Sequence, residues 1–199
     1  MNCIKCSREA AFILQEWYCH DCFCEVIERR LRKYLRTENP IQKGEHLLVL
    51  GVLAQHVLKT LIKDLPVTIT TVQTHEELAQ SKKQCPETRC VLPYTMEYGL
   101  RSFLQGVFEG SGENPSKDII LFLPITMHEL RKYVEIKGLQ SPVQEHDEFF
   151  DVLDKFEEKY PSSKYSLMKS AKAIRQLLEK ANVKKLVVSD PLHGHTAKH

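Results

Sequence analysis

Four cysteines near the start of the chain have the types and spacing of a metal site. They form two Cys-x-x-Cys pairs, Cys3 with Cys6 and Cys19 with Cys22, which are separated by twelve residues. Two pairs at roughly this separation are typical of a tetrahedral zinc ion, to which each pair supplies two thiolates. Because four thiolates leave no open position for water, the pattern predicts a structural zinc rather than a catalytic one.

The segment between the two pairs needs such a metal. Residues 10–18 predict a short β-hairpin that is too small to bury a core of its own, so zinc would stabilise a knuckle over residues 1–25. Ordinary buried thiols and the disulfides of a secreted domain are the alternatives. No apolar signal peptide precedes Cys3, which favours the cytoplasm over an oxidising compartment. Cys24 is out of register and is expected to be a spare thiol, with His20 as a substitute ligand.

Composition predicts one sizeable domain, residues 26–199, behind this knuckle. The chain has 199 residues, of which 42% are hydrophobic, and no segment is long and apolar enough to span a membrane. The formal net charge of +2 does not by itself indicate a nucleic-acid partner.

The linking segment 25–37 predicts an amphipathic helix with a basic face. Two acidic residues oppose five basic ones there, for a local net charge of +3. The five basic residues are Arg29, Arg30, Arg32, Lys33 and Arg36. Taken alone, such a face is more typical of a solvated helix surface than of an RNA contact.

The rest of the chain alternates between strand and helix patterns, which predicts an α/β fold with a Rossmann-like parallel sheet. Strands are predicted at 46–51, 67–72, 89–92 and 118–123, and another short apolar run at 185–188. Helices are predicted at 52–63, 97–109, 126–137, 146–160 and 164–181. The segments 73–86, 111–117 and the tail after Pro191 are candidates for disorder.

The first strand–helix turn lacks the residues of a phosphate-binding loop. Such a loop needs glycines and small hydroxyl residues so that backbone N–H groups can approach the anion. Here Gly51 is followed by Val52 and Leu53, and neither G-x-G-x-x-G nor G-x-x-x-x-G-K occurs in the chain. We therefore expect no ATP binding.

These features together resemble the PP-loop tRNA thiolation proteins, and most of all the non-catalytic subunit of the cytoplasmic tRNA 2-thiolation complex. The knuckle from Cys3 to Phe23 is similar to the opening of that family, and Leu123-Pro124-Ile125 followed by Glu129 and Tyr133 resembles an internal motif. Tyr160-Pro161-Ser162-Ser163 before a basic helix is similar to a late Pro-Ser-Thr element. The resemblance extends from residue 3 to about residue 178.

The resemblance implies a degenerate α/β domain of the PP-loop ATPase type. The Ser-Gly-Gly-x-Asp-Ser loop of catalytic members is missing, and Pro93-Tyr94-Thr95-Met96-Glu97 stands where they carry Gly-His and Asp-Asp. A non-catalytic subunit is therefore expected, which forms a heterodimer with a catalytic thiolation subunit and helps bind tRNA for 2-thiolation of the wobble uridine, U34. We predict that Lys169 and Lys172 on the late helix join the basic face of helix 25–37 in an RNA-binding surface.

Two other functions remain as alternatives. One is an active sulfurtransferase that uses Cys85 and Cys90 as a redox pair, although their C-x4-C spacing fits known redox motifs poorly. The other is a zinc-knuckle protein-interaction module that has no connection to tRNA.

Overall fold

The computed structural model describes residues 1–14, 16–109, 117–140 and 148–188, with side chains as far as residue 178. Most of the segment 111–117 and the whole tail after Pro191, both predicted to be disordered, lie outside the described residues. The described part of the chain contains no helix that is long and apolar enough to cross a membrane.

The chain begins with a small hairpin, as predicted. Strands β1 (Phe12–Ile13) and β2 (Trp17–Tyr18) pair antiparallel, and helix α1 (His20–Thr37) follows at once. This helix begins five residues before the predicted start, because Cys19 has the extended backbone of an N-cap and Cys22 and Cys24 already lie in helical turns. The knuckle and the sheet domain are thus joined by one continuous helix.

A four-stranded parallel sheet forms the centre of the molecule. Its strands are β3 (His46–Leu50), β4 (Thr68–Val72), β5 (Arg89–Thr95) and β6 (Ile119–Phe122), in the order β4-β3-β5-β6. All three neighbouring pairs are parallel. The predicted α/β fold with a parallel sheet, preceded by a small cysteine knuckle, is confirmed.

Six further helices surround the sheet within the described residues. They are α2 (Val52–Leu61), α3 (His75–Gln84), α4 (Met96–Glu109), α5 (Met127–Lys137), α6 (Glu148–Lys159) and α7 (Ser163–Val188). The short apolar run 185–188 is part of α7. Strand β5 is also longer than predicted, since it continues through Pro93 to Thr95.

The prediction that residues 73–86 are irregular and disordered was wrong, because they contain α3. Thr74 caps this helix by accepting a hydrogen bond from the Glu77 N–H at 3.2 Å. None of its residues is fully buried, but Leu78 packs against the sheet. A helix with one apolar contact leaves too weak a periodic pattern to be recognised in the sequence. The Thr-x-x-Glu capping sequence that begins at Thr74 was the available signal for the start of this helix.

Alternate side chains of the strands build two separate cores. Leu47, Val49 and Val91 belong to the large core that α1 and α2 also line. Leu48 and Cys90 point to the opposite side, into a smaller cluster that includes Leu78 of α3. The sheet is therefore covered on both faces, as its near-continuous apolar strands require.

Candidate metal centre and nucleic-acid interface

The structure brings the four predicted metal ligands together. The Sγ atoms of Cys3, Cys6, Cys19 and Cys22 all lie within 4.8 Å of one another, and those of Cys6 and Cys19 are 3.5 Å apart. Cys6 is exposed and the other three are buried. The first pair lies in a turn closed by hydrogen bonds from the Cys3 N–H to the Arg8 carbonyl and from the Ser7 N–H to the Cys3 carbonyl. The second pair lies at the start of α1.

The surroundings of the cluster favour thiolates at its first pair. Burial acts to raise the pKa of Cys3, but the backbone N–H groups of Cys19, Lys5 and Cys6 outweigh it and lower that pKa to about 6. Arg8 donates a hydrogen bond from its Nε to the Cys6 Sγ at 3.4 Å, which lowers the pKa of Cys6. Anionic sulfur is the form that coordinates a cation, so the first pair is ready to bind one, whereas burial and the neighbouring thiols raise the pKa of Cys22 to about 12, and Cys22 would give up its proton on binding a metal.

Cys24 and His20 lie outside this group of ligands. Cys24 is buried in the large hydrophobic core, where burial raises its pKa to about 11. The His20 ring makes an edge contact with Phe12, with ring centroids 5.0 Å apart. In the described residues, the potential metal-ligand group consists of the four knuckle cysteines alone.

A single residue connects the first strand of the sheet to its helix. Gly51 has a φ of +83°, a conformation that favours glycine, and its N–H donates to the Val72 carbonyl at 2.8 Å. Val52, the first residue of α2, is 61% exposed, whereas Leu53 is buried. A phosphate-binding loop presents several successive backbone N–H groups in a concave turn, and one residue is too short for that geometry.

The predicted basic face of α1 divides into two sets. Arg29, Lys33 and Arg36 follow i, i+4, i+7 spacing on one side of the helix, are exposed, and make no ion pair within the described residues. Arg30 instead donates to Glu129 at 2.7 Å and to the Tyr165 hydroxyl at 2.8 Å. Arg32 pairs with Glu28 one turn earlier, at 2.9 Å. Arg30 and Arg32 are thus neutralised within the protein.

The late helix lies beside α1. Tyr165 contacts Arg30, and two turns further along α7 the Lys172 Nζ pairs with Glu38 at 2.7 Å. Lys169 lies between these two contacts on the same side of α7 and is exposed. Two neighbouring helices thus carry four exposed cations, Arg29, Lys33, Arg36 and Lys169. We call these four residues the basic surface.

Sequence reasoning missed a buried polar network that holds α4, α5 and α7 together. Glu97 accepts hydrogen bonds from the Lys164 Nζ at 2.8 Å, the Thr95 hydroxyl at 2.9 Å and the Met127 N–H at 3.0 Å. Both charged side chains of this ion pair are almost fully buried. The only available signal was a charged residue at an inward-facing helix position, which also occurs on solvated faces.

The two internal motifs singled out in the sequence meet at this network. Glu129 completes a capping box with Thr126 at the start of α5. Glu157 of α6 accepts from the Ser162 N–H, the Ser163 hydroxyl and the Lys164 N–H at 2.7, 2.8 and 2.9 Å, which caps the start of α7. Glu97, Glu129, Glu157 and Lys164 line a cleft of about 430 Å³. The motifs thus have a structural role in joining the helices.

The remaining cysteines differ sharply in environment. Cys85 is exposed at the end of α3. Cys90 is buried in β5, and burial raises its pKa. A redox pair needs two accessible sulfurs, one of them with thiolate character, and Cys90 has neither property.

The fold and the knuckle define a class: an α/β protein with a four-stranded parallel sheet behind an N-terminal group of four cysteines. No protein-family model matches the chain, and no curated protein matches it either. Among solved structures, the chain is similar to the U34-tRNA thiolase NcsA from Methanococcus maripaludis with its [4Fe-4S] cluster. That likeness has a TM-score of 0.67 at 13% identity, and it covers 88% of this chain and 87% of that chain. At 13% sequence identity, this similarity shows that the two chains share a fold and nothing more.

Proposed function

We propose that this protein is a non-catalytic component of tRNA U34 2-thiolation, which forms a heterodimer with a catalytic thiolation subunit and helps bind tRNA. The fold supports the first half of the proposal, since a U34-tRNA thiolase matches nearly the whole chain. The basic surface beside the knuckle supports tRNA binding, because exposed cations without ion pairs are available to phosphates.

The one-residue turn at Gly51 is the observation that carries the non-catalytic assignment. Thiolation through an adenylated uridine requires ATP phosphates to be held in a fixed position next to the base. The place where this fold would offer successive N–H groups contains Gly51, followed by the exposed apolar side chain of Val52. A protein with this turn can still bind a partner subunit or tRNA. It lacks the successive backbone N–H groups that would hold ATP for activation of the uridine.

We propose a structural zinc ion in the four-cysteine centre. A tetrahedral ion with bonds of about 2.3 Å to sulfur places the sulfur atoms about 3.8 Å apart. The observed separations, from 3.5 Å to at most 4.8 Å, surround that value. A four-iron cluster occupies more space between its thiolates and would need them further apart. The centre would fix the hairpin and the start of α1, and thereby the direction of the basic surface.

The alternative functions gain less support. An active sulfurtransferase would need Cys90 to leave the sheet core before it could exchange sulfur with Cys85. A knuckle module without any connection to tRNA would leave the basic surface and the thiolase-like fold without a role.

A binding titration of the assembled heterodimer tests the tRNA half of the proposal. We would measure tRNA affinity at two salt concentrations for Arg29→Glu/Lys33→Glu, with Lys155→Glu/Lys159→Glu on exposed positions of α6 as a control of equal charge change and spacing. The α1 variant is expected to bind all tRNAs more weakly and with a shallower salt dependence, because phosphate contacts are lost. Equal effects of both variants would show general charge repulsion and would contradict the proposed surface.

Copurification tests the partner half. The chain, expressed together with a catalytic thiolation subunit, should elute with it as a complex, and thiolation should depend on the catalytic subunit. Thiolation of tRNA by the isolated chain would refute the non-catalytic assignment.

A further inference from the structure

Strand β4 forms one edge of the parallel sheet, and some of its backbone groups face away from the sheet. It pairs with β3 alone in the order β4-β3-β5-β6. The Gly51 N–H donates to the Val72 carbonyl at 2.8 Å, so Val72 bonds to the β3 side. Because alternate residues of a parallel strand bond to the same neighbour, Ile69 and Thr71 direct their N–H and C=O groups outwards.

The sequence of β4 does not protect this edge. Exposed edge strands usually carry charged residues, proline or a bulge, which discourage pairing with another chain. Strand β4 reads Thr-Ile-Thr-Thr-Val, and its register with β3 is continuous from residue 68 to residue 72. Pro66 precedes the strand and removes none of the outward N–H groups. An edge of this kind can accept an added strand.

An apolar groove of about 490 Å³ lies beside this edge. Its walls are the end of α2, the turn that follows and β4, and its apolar lining consists of partly buried side chains, those of Ile62, Leu65, Val67 and Ile69. Since Ile69 also packs against the large core, the groove is on the α2 side of the sheet. A strand added beside β4 would place every second side chain over it. We call Ile69, Thr71 and this groove the β4 edge.

Two lysines make the groove cationic. Lys59 and Lys63 are the charged residues in its described lining, and both are exposed. Neither makes an ion pair within the part of the chain that the structure describes, and the neighbouring Asp64 does not line the groove. A ligand that carries carboxylates beside apolar side chains would complement this lining. A polypeptide fits the β4 edge better than RNA does, because its backbone also pairs with outward N–H and C=O groups.

We propose that the β4 edge binds an extended, acidic segment of a partner protein, which adds a strand to the sheet. Backbone hydrogen bonds to Ile69 and Thr71 hold the segment, while its apolar side chains fill the groove and its carboxylates pair with Lys59 and Lys63. This inference goes beyond the proposed function, because β4 is at the opposite edge of the sheet from β6, which α1 contacts. The knuckle and the basic surface take no part in it.

The experiment uses the full chain and a capped peptide of sequence Glu-Thr-Val-Thr-Val-Thr-Glu. When extended, this peptide presents two valines and both glutamates on one face. Amide NMR spectra should show binding, and hydrogen exchange at the Ile69 and Thr71 amides should slow, because these N–H groups become bonded. The matched control peptide has lysine in place of both glutamates and should bind more weakly.

Two variants test the two parts of the contact. Thr71→Pro removes an outward N–H without removing a bond to β3, and should weaken peptide binding by about twofold to tenfold. Lys59→Glu/Lys63→Glu should weaken it by about threefold to thirtyfold through loss of the ion pairs. Lys155→Glu/Lys159→Glu on α6, with the same charge change and spacing, should bind the peptide like the wild-type chain. If Thr71→Pro does not fold, amide exchange in the wild-type chain still reports the backbone contact.

Several results would overturn the proposal. They are no binding of the acidic peptide, equal binding of the lysine peptide, unchanged exchange at Ile69 and Thr71, or equal effects of the α2 and α6 lysine variants. Sedimentation of the wild-type chain covers the other occupant: a dimer that Thr71→Pro dissociates would show that a second copy occupies this edge. The proposed function is tested separately, by tRNA binding of the basic-surface variant.

Discussion

Arg29 and Arg30 are adjacent in sequence and nearly indistinguishable in an analysis of charge pattern, yet the structure predicts opposite consequences of losing them. Arg29 is exposed and belongs to the basic surface. Arg30 donates to Glu129 and Tyr165 across the join between α1, α5 and α7. Substitution of each by Met removes the charge and keeps an apolar stem, so the pair of variants isolates the buried contact.

The magnitude follows from the burial of the Arg30–Glu129 pair. Removing one partner of a fully buried ion pair costs roughly 3–5 kcal/mol. The Arg30 side chain is 29% exposed and that of Glu129 6% exposed, and Glu129 keeps hydrogen bonds from Tyr165 and from the Thr126 N–H. The cost of Arg30→Met is therefore lower, about 2 kcal/mol in the free energy of unfolding. For a chain of this size, that is roughly 4–8 °C in melting temperature.

Thermal and denaturant unfolding of the two variants measures the difference. Arg29→Met should change stability by less than about 0.5 kcal/mol, as surface substitutions usually do. Adding Glu129→Gln to Arg30→Met should cost less than the two single changes together, because the carboxylate that lost its partner is then neutral. Equal melting temperatures for Arg29→Met and Arg30→Met would refute the buried role of Arg30.

Three further outcomes are expected. The purified protein should contain one equivalent of zinc. The Cys19→Ser variant should lose the zinc and unfold the hairpin, whereas Cys24→Ser should retain the metal. A metal analysis that finds four irons per chain instead of zinc would contradict the zinc assignment. ATP with Mg²⁺ should leave the melting temperature of the isolated chain unchanged, since a ligand at 100 times its Kd would add about 2.7 kcal/mol and be easily seen. With the metal bound, a thiol-alkylating reagent at pH 8 should modify exposed Cys85 quickly and Cys90 only after unfolding, because burial hides Cys90 and its raised pKa leaves less thiolate. Rapid modification of Cys90 would reopen the sulfurtransferase alternative.

The elements that the sequence predicted well are those whose signal is local and strong. The run His46–Leu50 is apolar and bounded by turn residues, and it forms the buried strand β3 as expected. Helix α3 was missed because its packing depends on one leucine, and helices held by few contacts leave little periodicity. Strand β5 was predicted too short because Pro93 normally ends a central strand. A register irregularity between Leu92 and Thr95 accommodates it here.

The sequence by itself determined which four cysteines could hold a metal and that no glycine-rich phosphate-binding motif follows the first strand, because both depend on residue types at short, fixed spacing. Only the tertiary structure decided which cations are available and which are already paired. Arg30 and Glu129 are 99 positions apart, and the hydrogen bond between His75 and Tyr94 joins the ends of two strands that lie on either side of β3. Such contacts depend on how distant elements pack, and the energies that fix that packing come from the whole core rather than from any local pattern.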